Sequence, residues 1–208
     1  MARTVGSEGA RTEAAIREAA VALIARHGFE GVSMRRLAEE VGVQAGALYR
    51  YFPTKQDLLA SMMREHLRHL IRSWTEARPS SVGPVEELVA FARFHVRYHM
   101  DRRDEVFINY MELRSLSGEN AAEIVTLRKT YEHELRGILR RGARAGAFRA
   151  CDAAVTAMAL IGMLTGVTTW RKPEGRLSPE AIEDIYVTLT LNAVGAPQPA
   201  EDALCSIM

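Results

Sequence analysis

The sequence SMRRLAEEVGVQAGALYRY, residues 33–51, predicts two short helices joined by a tight turn. Ser33 suits the N-cap of a helix over 34–41, because its hydroxyl can accept a hydrogen bond from a main-chain N–H of the first turn. Gly42 ends that helix, and a second short helix follows over 45–51. This is the layout of a helix-turn-helix motif. The contacts expected to hold the two helices at a steep angle are small and apolar: Ala38, Val43 and Leu48.

The second short helix is expected to present small and polar side chains outward. Such a helix fits the major groove of DNA, where its first residues reach the base edges. Arg50 can donate two hydrogen bonds to guanine or hold a phosphate, and the small Gly46 lets the backbone come close. The candidate DNA-contacting residues are Ser33, Arg35, Gln44, Ala45, Gly46, Tyr49, Arg50, Tyr51 and Lys55. The spacing alone also fits a packed helical hairpin with solvated arginines.

Helical periodicity continues along almost the whole chain and predicts an all-α fold. The helices before residue 60 are short, as a compact three-helix unit requires, and the later ones are long, as a bundle requires. The predicted helices cover 12–27, 34–41, 45–51, 54–77, 84–101, 104–116, 120–146, 153–170 and 179–194. A loose tail is expected after residue 195.

The composition is that of an ordinary globular protein. The 208 residues are 48% hydrophobic and 25% charged, which provides for a sizeable core and excludes whole-chain disorder. No apolar run approaches the roughly 20 residues of a membrane span, and residues 1–10 lack the apolar core of a secretory signal. We therefore expect a cytoplasmic protein without a membrane partner. Cys151 and Cys205 are too few for a disulfide framework and match no metal spacing.

The charge distribution favours a local basic patch. A formal net charge of +1 excludes a protein that coats nucleic acid through bulk charge, but it does not exclude a site-specific binder. No acidic residue occurs from Val41 to Gln56, where Arg50 and Lys55 stand. We therefore expect the presumed DNA face to be positive, and its affinity for DNA to fall steeply with salt.

A longer set of residues surrounds the motif: Ala19-Ala20, Gly28-Phe29, Val32 to Ala38, Val41 to Val43 and Gly46 to Leu59. This set, which covers nearly all of residues 12–60, resembles the N-terminal domain of the TetR family of transcriptional regulators. Family members often carry Ser or Thr as a phosphate contact where Gln44 stands, whereas the Gln44 amide can instead pair with adenine.

The resemblance implies an all-α homodimer that binds a palindromic operator in double-stranded DNA and is released by a small ligand. It divides the chain into a helix-turn-helix DNA-binding domain over 1–60, a ligand-binding and dimerisation domain over 61–194, and a flexible tail over 195–208.

The middle of the chain carries a dense mixture of aromatic and polar side chains. Ligand pockets are mostly apolar, with a few polar groups that orient the ligand. As a set these residues suit an elongated apolar pocket, although each one also fits an ordinary core position. The candidate ligand-binding residues are Trp74, Phe91, Phe94, His95, Tyr98, Phe107, Tyr110, Met111, Arg114, Tyr131, Met163 and Trp170.

The last two predicted helices are candidates for the dimer interface. The helix over 153–170 is apolar nearly all round, and such a helix needs partners on every side. The helix over 179–194 adds further apolar residues. In the TetR family the equivalent helices form a four-helix interface, which symmetry makes isologous.

The stretch from Gly166 to Glu180 resembles the end of the ligand domain in TetR members that sense acyl-coenzyme A thioesters. This second, looser resemblance implies control of fatty-acid or aromatic-acid catabolism. Basic side chains there and on an earlier helix can supply phosphate partners, and they also fit a solvated face. They are Arg140, Arg141, Arg144, Arg171, Lys172 and Arg176.

Several alternatives have different sequence requirements. A multidrug sensor of an efflux gene would share the DNA domain but carry buried acids facing a cationic drug. A bundle without a ligand would make a plain structural repressor or adaptor. An enzyme needs a nucleophile or paired acids, and no glycine-rich phosphate loop, nucleophile elbow or HExxH occurs, so we expect neither catalysis nor a cofactor. His95 and His99 have a spacing that can grip a metal, but no nearby carboxylate or cysteine in the sequence completes a site.

Overall fold

The structure, a computed structural model, describes residues 5–149 and 152–197. Within these ranges the chain is all-helical, as the sequence predicts. Both cysteines and the end of the expected tail lie outside the described residues. The helices are α1 (Val5–His27), α2 (Met34–Val41), α3 (Ala45–Tyr51), α4 (Lys55–Ala77), α5 (Pro84–Met100), α6 (Arg103–Met111), α7 (Gly118–Arg144), α8 (Ala153–Thr165), α9 (Val167–Trp170) and α10 (Pro179–Val194), with a 3₁₀ turn at Leu113–Ser115.

The predicted caps set the bounds of the helix-turn-helix. The Ser33 hydroxyl accepts a hydrogen bond from the N–H of Arg36 at 3.1 Å, at the start of α2. Gly42 ends α2 in the left-handed conformation, with φ of 73°, which a glycine adopts without a Cβ clash. The Val43 N–H then donates to the carbonyl of Ala38 at 2.9 Å, which closes the turn before α3.

The chain divides into two compact units. The first comprises Met1–His69 with Arg102–Arg128, and the second comprises Leu70–Asp101 with Lys129–Met208. The first unit includes α6 because this helix packs on α1. The long helices α4 and α7 each contribute to both units, so the compact units do not divide the chain at residue 60. The functional division at that residue stays a prediction.

Three boundaries differ from the predicted ones by more than two residues. α1 begins seven residues earlier, at Val5, because nothing between there and Thr12 interrupts the helix. α6 ends at Met111, where the chain turns into the 3₁₀ helix. The predicted helix over 153–170 is broken at Gly166 into α8 and α9. Just after the break, the Thr169 hydroxyl donates to the Gly166 carbonyl at 2.7 Å.

One stretch is longer and more apolar than the sequence analysis allowed. Ala153–Trp170 has the length and composition of a membrane span, which corrects the expectation that no apolar run approaches one. Only 28% of this stretch is buried. A single segment of this kind is weak evidence for a membrane, because core helices of soluble proteins can be equally long and apolar. The chain interrupts it at Gly166.

Candidate nucleic-acid interface and ligand-binding core

Helix α3 is anchored on one side and open on the other. Leu48 is fully buried and fixes the helix in the first unit. A Cβ built at Gly46 would meet no atom within 4 Å, so a second macromolecule can approach the backbone there. Of the predicted DNA contacts in this region, Gln44, Gly46, Tyr49 and Arg50 are exposed, and Ala45 and Tyr51 are half-buried.

The predicted phosphate contacts are less free than the sequence indicated. Lys55 is partly buried, with its Nζ 4.1 Å from the centre of the Phe29 ring and 3.9 Å from a carboxylate oxygen of Glu30. Arg35 is exposed and forms an ion pair with Glu39 at 3.2 Å on the same helix. Acidic side chains from outside the 41–56 segment therefore offset part of the positive charge expected at this face.

The first turn of α4 is held by a reciprocal capping box. The Asp57 carboxylate accepts hydrogen bonds from the N–H and the hydroxyl of Thr54 at 3.0 and 2.8 Å, and the Thr54 hydroxyl accepts from the Asp57 N–H at 3.0 Å. Asn120 donates to the other Asp57 oxygen at 3.1 Å. These hydrogen bonds, above all those from Thr54 and Asn120, hold the pKa of Asp57 below its usual value.

Protonation of the Asp57 carboxylate in acid should lower the stability of the fold. Since the folded chain lowers the pKa of Asp57, the ionised group stabilises the fold above about pH 4, and this contribution is lost as the pH falls through the folded-state pKa. Asp57→Asn removes the ionisable group. The difference in Tm between wild type and variant should therefore be smaller at pH 3 than at pH 7. Thermal unfolding followed by circular dichroism measures it. Asn120→Ala removes one donor and keeps the charge, so it should reduce the pH dependence only in part. A Tm gap that stays constant with pH would contradict this role.

Beside this turn lies an open polar cleft of about 570 Å³ in the first unit. Gln56 and Ser117, which both line this cleft, are hydrogen-bonded to each other. The side-chain oxygen of Gln56 accepts hydrogen bonds from the N–H and the hydroxyl of Ser117 at 3.2 and 3.0 Å. The sequence analysis missed this connection between the starts of α4 and α7, since its members stand some 60 positions apart. The residues lining the cleft are Thr54, Gln56, Asp57, Ser117, Glu119 and Asn120.

Six of the predicted ligand-binding residues form one aromatic cluster in the second unit. Phe91 packs edge-on against Trp74, with ring centres 5.0 Å apart, and stacks on Tyr131 at 5.4 Å. Trp74 is only 1% exposed, and its indole N–H has no hydrogen-bond partner among the described residues. The members of this aromatic cluster are Trp74, Phe91, Phe94, His95, Tyr98 and Tyr131.

His95 supplies polar groups to the aromatic cluster. One ring nitrogen lies 3.1 Å from the Tyr131 hydroxyl, and the other lies 2.9 Å from the Thr165 hydroxyl. His99 stacks on His95 with ring centres 3.8 Å apart, and its Nδ1 donates to the His95 carbonyl at 2.8 Å. Thr165 was not predicted, because it stands 70 residues away in sequence. The described residues contain no cluster of three or more His, Cys, Asp or Glu side chains suited to a metal.

The other predicted ligand-binding residues do not join the described ring contacts of this cluster. Phe107, Tyr110 and Met111 lie exposed on α6 in the first unit, and Arg114 is also exposed, in the 3₁₀ turn that follows. Met163 is half-buried on α8, and the half-exposed Trp170 donates its indole N–H to the Tyr186 hydroxyl at 3.1 Å. These ligand assignments stay predictions.

Two buried carboxylates of the second unit were also missed, and arginines neutralise both. Glu87 accepts from Arg78 at 2.8 Å and from Arg141 at 2.6 Å. Glu183 on α10 accepts two hydrogen bonds from Arg97 on α5, at 2.7 and 3.0 Å. This pair raises the pKa of Arg97 and connects the two helices. Arg141, a predicted phosphate partner, is therefore already engaged.

Helices α8 and α10 leave apolar side chains uncovered. Met158 on α8 is 54% exposed and Leu189 on α10 is 45% exposed. Val155 and Ile185 are exposed at positions three and four residues before them, which places each pair on one side of its helix. Exposed apolar stripes of this kind are typical of surfaces that contact another protein.

Comparison with known proteins defines the class. Residues 16–62 match the model of the bacterial regulatory proteins of the tetR family, and residues 81–194 match that of the tetracyclin repressor-like C-terminal domain. The chain belongs to the TetR family. It is a TetR-type transcriptional repressor with a helix-turn-helix DNA-binding domain, and it is not an enzyme. Members of this family bind operator DNA and act as dimers.

Individual relatives cover most of the chain. The fatty acid metabolism regulator protein of Bacillus subtilis is 25% identical over 85% of this chain and 92% of its own. The HTH-type transcriptional repressor KstR2 of Mycolicibacterium smegmatis is 25% identical over 95% and 98%. The crystal structure of AibR with isovaleryl coenzyme A and operator DNA has a TM-score of 0.79 and 30% identity over 86% of this chain and 97% of AibR.

Proposed function

We propose that this repressor is released from its operator by an acyl-coenzyme A thioester. The observation that carries the proposal is the similarity to AibR, whose structure contains isovaleryl coenzyme A together with operator DNA. The name of the Bacillus subtilis relative, a regulator of fatty acid metabolism, supports the same ligand class. The regulated genes would then belong to fatty-acid or aromatic-acid catabolism, and the protein would act in the cytoplasm.

The aromatic cluster is the proposed site for the acyl end of the ligand. It is apolar, as an acyl chain requires, and it contains a few polar groups that can orient a thioester. The indole N–H of Trp74 supports this role. It is buried and has no acceptor among the residues that the structure describes, which costs free energy that a ligand acceptor would recover.

The DNA-binding part of the proposal concerns α3 and its surroundings. The exposed side chains of Gln44 and Arg50 are assigned to the base edges of the major groove. The phosphates are assigned to Ser33, Arg35, Tyr49, Tyr51 and Lys55. Ala45 and Gly46 allow the close approach. The two α3 helices of a dimer then need a separation of about 34–36 Å, one turn of DNA.

The proposed dimer forms through α8 and α10. The exposed apolar stripes around Met158 and Leu189 support this assignment, since a twofold axis would cover both with their copies. Ligand binding is proposed to favour a dimer with a different separation of the α3 helices. By thermodynamic linkage, the ligand then weakens DNA binding by the factor by which DNA weakens ligand binding.

The multidrug alternative is weakened by the charges of the second unit. A site for a cationic drug needs a buried carboxylate that is available to the ligand. Glu87 and Glu183 are buried, but each is already paired with arginines at hydrogen-bond distance. Calorimetric titration with the cationic dye rhodamine 6G tests this alternative, and we expect no binding.

The central test is a gel shift with DNA and acyl-coenzyme A. A duplex that the protein selects from a random library serves as the operator probe. Isovaleryl-, palmitoyl- and phenylacetyl-coenzyme A are added to the complex, and at least one of them should release the DNA at micromolar concentration. Free coenzyme A is the control and should leave the complex intact. If no acyl chain releases the DNA, the ligand class is wrong, while the assignment as a repressor stands.

A further inference from the structure

Glu112 is a buried carboxylate that the proposed function does not use. It follows α6 in the first unit and is only 8% exposed. Its Oε1 accepts a hydrogen bond from the main-chain N–H of Phe29 at 3.0 Å, and its Oε2 accepts one from the Ser115 hydroxyl at 3.1 Å. Phe29 follows Gly28, which ends α1 in the left-handed conformation. Glu112 therefore holds the chain where α1 turns toward the helix-turn-helix.

Two hydrogen bonds fix the carboxylate of Glu112, one from a main-chain N–H and one from a hydroxyl. A hydrogen bond that a carboxylate accepts from a main-chain N–H is stronger than one between neutral groups. The side chain is thus a strong restraint on the main chain at Phe29.

Phe29 in turn supports a predicted DNA contact. Its ring is buried, and the Lys55 ammonium lies over the ring face at 4.1 Å from the centre. A lysine side chain loses considerable rotamer freedom when it is held in one place. A fixed aromatic surface reduces this loss at the moment of binding, because the ammonium is positioned in advance.

We infer that Glu112 is a positioning residue for the phosphate contact of Lys55. It fixes the main chain of Phe29, and the Phe29 ring, together with the neighbouring Glu30 carboxylate, sets the position of the ammonium. The inference rests on the proposed function, since it takes Lys55 as a phosphate contact. Glu112 itself touches no DNA and acts through two other residues.

The salt dependence of DNA binding tests this role. The slope of log affinity against log salt concentration falls by about 0.9 for each phosphate that the protein no longer neutralises, which is about 1.8 for a dimer. The dissociation constant is measured from 50 to 300 mM KCl on the selected duplex. Lys55→Met should lower the slope by about this amount, and Glu112→Ala should lower it equally. The double variant should show no further drop.

Three further variants separate positioning from stability. Glu112→Gln keeps an oxygen that accepts from the Phe29 N–H, so it should restore most of the wild-type slope. Phe29→Leu keeps the main-chain N–H and removes the ring, so it should lower the slope as Glu112→Ala does. If Glu112→Ala does not fold, Phe29→Leu tests the inference in its place. Glu123→Ala is the matched control in the same unit. It breaks the two hydrogen bonds with Arg64, each of 2.7 Å, and should leave the slope unchanged.

The outcomes distinguish the two proposals. If Lys55→Met leaves the slope unchanged, Lys55 is not a phosphate contact, and the role of Glu112 falls with that part of the proposed function. If Lys55→Met lowers the slope but Glu112→Ala and Phe29→Leu do not, only the positioning role is wrong. If Glu123→Ala lowers the slope as much as Glu112→Ala does, the effect of Glu112 is one of general stability. That result would also overturn the inference.

Discussion

Arg50→Ala is expected to weaken operator binding at least about thirtyfold while leaving the dimer intact. Arg50 is exposed on α3, on the opposite side from the buried Leu48, so its removal should cost little stability. A specific arginine contact to DNA is worth about 1–3 kcal/mol, and a dimer on a palindrome loses it twice, about 2–6 kcal/mol in total. Tyr49→Ala should act in the same direction. Fluorescence anisotropy with the selected duplex measures the affinity, and sedimentation measures the dimer.

The control for this prediction is Arg26→Ala. Arg26 is an exposed arginine on α1 of the same unit and is not among the predicted contacts. Its replacement removes the same charge and should weaken binding less than threefold. If the Arg50 and Tyr49 variants bind the duplex as the wild type does, the DNA-binding face has been assigned to the wrong side of the domain.

Met158→Asp is expected to dissociate the dimer and, with it, to abolish operator binding. In an isologous interface the substitution is present twice, and each copy places a carboxylate on an apolar surface. An uncompensated buried charge costs about 3–5 kcal/mol, so the dimer dissociation constant should rise at least a hundredfold. Leu189→Asp on α10 should do the same. Sedimentation velocity at micromolar concentration measures the association state, and circular dichroism should show an unchanged helix content.

Val82→Asp is the matched control. Val82 is 43% exposed in the loop between α4 and α5 and belongs to neither apolar stripe. The same substitution there should leave both the dimer and the DNA affinity unchanged. If the Met158→Asp protein remains dimeric, the assignment of the interface to α8 is wrong. The membership of the chain in the TetR family would be unaffected.

The helices could be predicted from the sequence because their ends depend on neighbouring residues. Ser33 and Ser178 each cap a helix through a hydroxyl that accepts from an N–H three residues later. Gly42 and Gly195 end helices in the left-handed conformation. These interactions need no tertiary contact. The break at Gly166 could not be predicted, because the apolar composition continues across it without a proline or a cap.

The partners of buried polar groups could not be predicted. Glu112 and Phe29 are 83 residues apart, and Glu183 is 86 residues from Arg97. Which carboxylate meets which donor is decided by helix packing, and neither periodicity nor composition contains that information. For the same reason the sequence predicts one ligand set that includes both Trp74 and Phe107 and cannot show that the fold assigns them to different compact units.

The two tryptophans of this chain stand in opposite environments. Trp74 is buried among aromatic rings in the proposed ligand site, whereas Trp170 is half-exposed and bonded to Tyr186 of α10. Their emission therefore separates by wavelength and by access to a soluble quencher such as iodide. With Trp170→Phe the remaining signal comes from the core alone, and with Trp74→Phe from the neighbourhood of α10, a proposed dimer helix. The unlabelled protein thus contains one optical reporter for the proposed ligand site and another for the proposed dimer interface.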